Sequence, residues 1–249
     1  MQRSPDAIPE LVLLHLWGVS PAGVPRAVAR MGTHRLRLRR ASGLRFAKLL
    51  GTGDGRTFTA RDADPLHWGL LTVWDDAHDG ERFAADSGVV RSWQRLATET
   101  LVVRLSPIAA RGTWAGDTPF GDPRPRPVAG PVASITRARI ATRKWAGFWR
   151  AVPPVSHDLH QVGGLRMAVG IGEAPVGLQG TFSMWDSSAA LNEFAHRREP
   201  HQEVVRRTAQ EGWYSEELFA RFEVLSTQGS FEGRSYVTTD ATTDATDHV

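Results

Sequence analysis

The strongest constraint on this 249-residue chain is that it repeats itself. Residues 101–116, LVVRLSPIAARGTWAG, run without a gap beside residues 218–233, LFARFEVLSTQGSFEG. Leu101 faces Leu218, Arg104 faces Arg221, Gly112 faces Gly229, Trp114 faces Phe231 and Gly116 faces Gly233. Upstream, Gly43-Leu44-Arg45-Phe46-Ala47 matches Gly164-Leu165-Arg166-Met167-Ala168. Leu71-Thr72-Val73-Trp74-Asp75 matches Phe182-Ser183-Met184-Trp185-Asp186, and Arg82-Phe83-Ala84 matches Glu193-Phe194-Ala195. The order is kept and the period is about half the chain, too long for a solenoid. Two copies of one structural unit are expected.

The first copy opens with a strand at residues 11–19. A helix then starts with Ser20 as cap and Pro21 in the first turn and runs to about Met31. Strands follow at 44–50, 68–74 and 101–108, with one or two helices between 75 and 96 whose apolar stripe is Phe83, Val90, Trp93 and Leu96. The second copy has strands at 132–140, 165–171, 178–185 and 218–225, and helices at 142–162, 186–196 and 200–211. Each half reads strand, helix, strand, strand, helix, strand. The expected fold is α+β: two tandem ferredoxin-like units packed sheet to sheet as an α+β barrel, with a pocket between sheet and helices. The divisions are a tail at 1–10, a first unit at 11–116, a Pro-rich linker at 117–131, a second unit with the site at 132–234, and a polar tail at 235–249 expected to be disordered. The run His34-Arg35-Leu36-Arg37-Leu38-Arg39-Arg40 alternates and reads as an edge segment with every other residue in solvent. The glycine cluster Gly51-Thr52-Gly53-Asp54-Gly55 lacks the Gly-Lys-Ser/Thr ending of a phosphate loop and reads as a turn.

Cysteine is absent, which removes disulfides, thiolate metal sites, cysteine-held clusters and a cysteine nucleophile together. The sequence pI is about 9.9 because nearly all the bases are arginine, yet the formal net charge is only +3. No nucleic-acid recognition motif accompanies that charge, so nucleic acid is not the expected partner. No run of 18 apolar residues and no clear leader is present, and a cytoplasmic protein is expected.

Several multi-residue words occur in order across residues 11–234. They are Arg111-Gly112-Thr113-Trp114-Ala115-Gly116 with Pro119-Phe120, Gly170-Ile171-Gly172-Glu173-Ala174-Pro175, Gly180-Thr181-Phe182-Ser183-Met184-Trp185, and the segment from Glu211 to Phe222. In these words the chain resembles the spheroidene monooxygenase family of carotenoid biosynthesis. The resemblance implies a dimeric α+β-barrel-like fold and a haem b oxygenase. Such an enzyme takes electrons from a reduced ferredoxin and adds oxygen to an acyclic carotenoid. A membrane-borne substrate further implies peripheral membrane contact without an anchor, and a homo-oligomer remains compatible.

With no cysteine, the haem so implied needs another axial ligand, most naturally an imidazole. His201, at a helix opening in the family-like region and in the half that is longer there, is the first candidate; a surface histidine is the competing reading. His160, three residues from His157 on a helix face, is the second. His15 reads as a packing residue, His34 and His248 as poor candidates, and His67 and His78 as exposed flanks of the third strand. Around such a haem, Arg166 is nominated to pair with a propionate or polarise oxygen, Gln179 to hydrogen-bond a distal ligand, and Lys48 to face a propionate. Trp185 is a wall candidate. Arg45 and Trp74, their first-half twins, favour structural roles for Arg166 and Trp185 equally well. Glu173, at a strand end, could face a pocket mouth. Two other classes stay open: a cofactor-free α+β-barrel oxygenase, and a non-enzymatic ligand- or haem-binding protein.

Overall fold

Alternation of apolar residues turns eight strands into one wall. The computed structural model describes residues 6–53, 63–140, 163–173, 180–196 and 214–238. Strands β1 (Leu11–Val19), β2 (Leu44–Gly53), β3 (Ala63–Trp74) and β4 (Ala97–Gly112) pair antiparallel in the order β4-β1-β3-β2. Strands β5 (Val132–Ile140), β6 (Leu165–Gly172), β7 (Gly180–Trp185) and β8 (Tyr214–Phe231) pair antiparallel in the order β6-β7-β5-β8. The order of the first group therefore recurs, reversed, in the second. The groups join edge to edge rather than face to face. β2 meets β6 over Gly51–Gly53, and β4 meets β8 from Leu101↔Gly229 to Gly112↔Leu218. The ring closes fully along β4–β8 but through only three residue pairs at β2–β6, so Leu44–Leu50 and Leu165–Val169 form no ladder with each other. A short β9 (Arg234–Ser235) turns back on the end of β8.

The inward-facing positions carry the largest core. Val12, Leu14 and Leu16 of β1, Leu71 and Val73 of β3, Leu101, Val103 and Leu105 of β4, Ile135 of β5, Val169 of β6, Phe182 of β7 and Phe222 of β8 all belong to it. Each such side chain contributes on the order of 2 kcal/mol when fully buried. The barrel centre is thus filled. Outward positions bury against helices. Trp17, Leu49, Trp68 and Leu70 meet Ala27, Met31 and Leu38 of α1 (Val24–Leu38) and Val90 and Trp93 of α3 (Gly88–Gln94). In the second half Val132 and Trp185 meet Leu191 of α4 (Ser188–His196). Side-chain caps start α2 (Ala77–Asp86), α3 and α4: Asp76 accepts from the Asp79 N–H, Ser87 from Val90, Ser187 from Ala190. No helix among the described residues is long and apolar enough to cross a membrane.

Two local expectations are corrected. Ser20 makes no side-chain cap. A 3-10 turn at Pro21–Gly23 precedes α1, which runs on to Leu38. The arginine run is therefore the second half of a helix and not a sheet edge. Ala27, Met31, His34 and Leu38 recur at helical spacing on its buried face, and that periodicity overrides the local alternation. The helices expected at 142–162 and 200–211 and most of the C-terminal tail lie outside the described residues. Between β4 and β5 the chain is irregular yet anchored, with Trp114 and Phe120 buried and Phe120 edge-on to Phe222.

Candidate functional site

At one end of the barrel the inward-facing series on four strands reaches a charged residue. Lys48 lies between Phe46 and Leu50 on β2, and Arg137 follows Ala133 and Ile135 on β5. Glu173 follows Val169 and Ile171 at the end of β6, and Glu216 precedes Leu218 and Ala220 on β8. Strand periodicity aims all four at the same mouth. There they neutralise one another. Glu173 Oε2 accepts from Lys48 Nζ at 2.9 Å, while its Oε1 accepts from Trp114 Nε1 at 2.6 Å and Arg137 Nη2 at 2.9 Å. Arg137 Nη1 donates to Glu216 Oε2 at 2.6 Å, and Glu216 Oε1 accepts from the Gly116 N–H at 2.8 Å and the Thr113 hydroxyl at 3.1 Å. The Arg137 guanidinium also lies 5.2 Å from the Trp114 ring centroid.

Only 3% of the Arg137 side chain is exposed, so its charge depends on these two carboxylates. Burial alone would raise the Glu173 pKa, but Lys48, Trp114 and Arg137 outweigh it and hold the carboxyl below its usual value. Burial opposes ionisation of Glu216 too, and the Gly116 N–H, Arg137 and the Ala115 N–H bring it to about 2. Both carboxylates are ionised at neutral pH and act as fixed acceptors, not proton donors.

Beside this plug a cavity of about 400 Å³ opens between the C-terminal half of α1 and β2, within the size range of small-ligand sites. Leu38, Leu44, Phe46 and Leu49 line it, with Arg35, Arg39, Arg45, Lys48, Asp117 and Glu173. Arg35 donates to the Glu173 carbonyl at 2.9 Å. Four cations against two carboxylates suit a ligand with an anionic end and an apolar body.

The candidates named from sequence separate. Lys48 and Glu173 come together at this mouth. Arg166 sits near the other end of β6, roughly 20 Å away along the strand, where its Nε donates to Asp186 at 2.5 Å. Its twin Arg45 reaches the equivalent Asp75 at 3.4 Å. Trp185 is buried, donates to Ser183 at 2.9 Å and packs on Phe194, as Trp74 donates to Thr72 and packs on Phe83. These contacts give both residues a structural part. Gln179, His157, His160 and His201 lie outside the described residues.

His67 is not exposed. It is held on β3 between Asp64 Oδ2 at 2.5 Å and Glu99 Oε1 at 2.9 Å, with Phe231 against its ring. Burial alone would lower its pKa; hydrogen bonds and charge from Asp64 and Glu99 reverse this and raise it to about 9. His34 is buried on α1 edge-on to Trp93, and His15 is buried and stacked on Trp17. Desolvation, helped by nearby arginines, lowers both to about 4. The Nδ1 atoms of both lack a partner. Both are neutral imidazoles, yet indoles fill the space against them, so neither fits as the ligand of a haem iron. Among the described residues the cavity has donors for a propionate and no imidazole.

Arg137, Glu216 and Trp114 were missed from sequence as site residues. Their signal is a charge at an inward-facing position of an otherwise apolar strand, legible once the register is known.

No family model matches the chain. It is 36% identical to a spheroidene monooxygenase of Rhodobacter capsulatus over 218 residues, covering 86% of this chain and 89% of the relative. It is 39% identical to a spheroidene monooxygenase of Rubrivivax gelatinosus over 194 residues, covering 78% and 74%. A solved aldoxime dehydratase matches the fold with a TM-score of 0.56 at 11% identity, covering 89% of this chain and 83% of that one. With that closed barrel, and with two relatives matched over most of their length, the chain belongs to the spheroidene monooxygenase family and is an oxygenase.

Proposed function

We propose that the protein is a haem b-dependent monooxygenase that inserts one oxygen atom of O₂ into an acyclic carotenoid, with a reduced ferredoxin supplying electrons. Kinship with the two spheroidene monooxygenases over most of the chain carries this reading. The geometry supports it at the barrel mouth. The described ends of β5, β6 and β8 at that mouth lead directly into residues 141–162, 174–179 and 197–213, which contain His160, Gln179 and His201. His201 is proposed as the iron ligand, with His160 as second choice, and Gln179 as a donor on the oxygen side. Haem, when bound, supplies the oxygen-activating iron. The chain's own part is to hold it: Lys48 and Arg45 would face its carboxylates, and the Glu173–Arg137–Glu216 plug fixes Lys48. The matched strand orders, and the twin contacts of Arg45 with Arg166 and Trp74 with Trp185, support an origin by duplication of one ferredoxin-like unit.

A cofactor-free oxygenase is the second reading, favoured by the absence of an imidazole from the described cavity lining. Turnover of a detergent-dispersed acyclic carotenoid under ¹⁸O₂ separates the two. Label should enter the product only with haem-loaded protein and a reduced ferredoxin. Equal incorporation by haem-free protein would establish the second reading instead.

A further inference from the structure

From Leu11 to Gly53 the sequence contains no Asp or Glu, but it contains Arg26, Arg30, Arg35, Arg37, Arg39, Arg40, Arg45 and Lys48. Since the whole chain is only +3, the rest is net acidic and this stretch is a concentrated cationic face. Helix α1 and the turn that ends it display most of it. Ala27, Met31, His34 and Leu38 face the sheet. At 100° per residue the opposite pole falls on Pro25, Ala29, Gly32 and Leu36, an uncharged ridge. Arg26, Arg37 and Arg40 flank it on one side, Arg35 and Arg39 on the other. Leu36 is 63% exposed and Val28 46%. Among the described residues, Arg26, Arg37, Arg39 and Arg40 meet no carboxylate, and burial lowers the Arg30 pKa, with repulsion from Arg26 and Arg95 adding to it.

We propose that the outer face of α1 docks the enzyme onto an anionic lipid surface, with Leu36 entering the headgroup layer and the flanking arginines on lipid phosphates. The outer side of a single helix is convex, which suits a bilayer better than a shaped protein. Exposed apolar residues on a ridge between arginines match an interfacial helix. The cavity beside the plug is lined by Arg35, Leu38 and Arg39 of the same helix, so docking by α1 places its mouth near the membrane. This deepens the carotenoid reading, because a substrate dissolved in lipid needs such an approach; the vesicle binding itself requires no turnover.

The experiment is sedimentation of the full chain with vesicles of phosphatidylcholine alone and with phosphatidylglycerol added. Binding should need the anionic lipid, fall steeply as salt rises, and weaken about fivefold for each flanking arginine removed. Leu36→Ser should weaken it and Leu36→Trp tighten it, with unchanged melting temperatures. Equal binding to both vesicle types, no binding to either, or indifference to both Leu36 variants would overturn the proposal. If vesicles fail and Arg37→Glu/Arg40→Glu instead weakens a complex with an acidic iron–sulfur protein, the face serves a protein and the proposal is likewise overturned. Turnover of detergent-dispersed carotenoid reports separately on the proposed reaction. Its loss in the unaltered protein, with vesicle binding intact, would reject the substrate reading and leave the docking face standing.

Discussion

Arg137 is the residue on which the barrel mouth depends. Its charge is buried and met by the carboxylates of Glu173 and Glu216. Arg137→Met removes the cation shared by Glu173 and Glu216, leaving Glu173 to Lys48 and Glu216 to neutral donors, and a loss of about 3 kcal/mol is expected, read as a lower midpoint at unchanged slope in urea unfolding. Adding Glu216→Gln should recover part of that loss. His67 gives a pH signature. Its pKa is raised in the folded state to about 9 from an unfolded 6.5, so its contribution is complete below pH 6.5 and lost as pH rises through 9. His15 is lowered to about 4, so its contribution is complete above 6.5 and lost as pH falls through 4. Stability measured across pH should peak near 6.5. His67→Gln should flatten the alkaline limb by on the order of 1–3 kcal/mol and leave the acid limb intact. His67 escaped sequence reading because Glu99, one of its two clamps, is 32 residues away and comes into reach only when β4 packs beside β1.

At the scale of elements, the seam between β4 and β8 holds the two halves together, and two glycines mark its ends. Gly112 and Gly229 have φ of +87° and +115°, and a Cβ on either would strike the carbonyl of Glu217 or Thr100 across the seam. Gly229→Ala should cost about 2–3 kcal/mol or more, from strain and clash together. Gly116→Ala has a similar φ with open space around it and should cost only about 1 kcal/mol; thermal melting of the two variants checks the contrast. A continuous apolar run made β1 legible from end to end, since Leu11–Val19 is both the expected and the observed span. Alternation misled at residues 34–40. A five-residue window cannot tell His34-Arg35-Leu36-Arg37-Leu38 on a helix from a half-exposed strand; only the longer spacing of Ala27, Met31, His34 and Leu38 decides it.

For the molecule as a whole, repetition in sequence carried the α+β class and the strand inventory, because matched words imply matched elements. It left open how two sheets meet. Face packing and edge pairing bury the same alternating residues, and the choice rests on hydrogen bonds along β4–β8 and β2–β6 that no side-chain pattern encodes. The mouth of the barrel was half legible for a similar reason. Lys48 and Glu173 were singled out by composition and by a glycine-flanked word, whereas Arg137 and Glu216 gain meaning only from register.

The central claim is that this closed barrel holds haem through His201. Titration of the purified protein with haem, followed by absorbance, tests it most directly. The unaltered chain should give a saturable Soret band at one haem per chain, which His201→Ala abolishes while His160→Ala and His67→Ala retain it. A band unchanged in His201→Ala, or none in the unaltered protein, would contradict it.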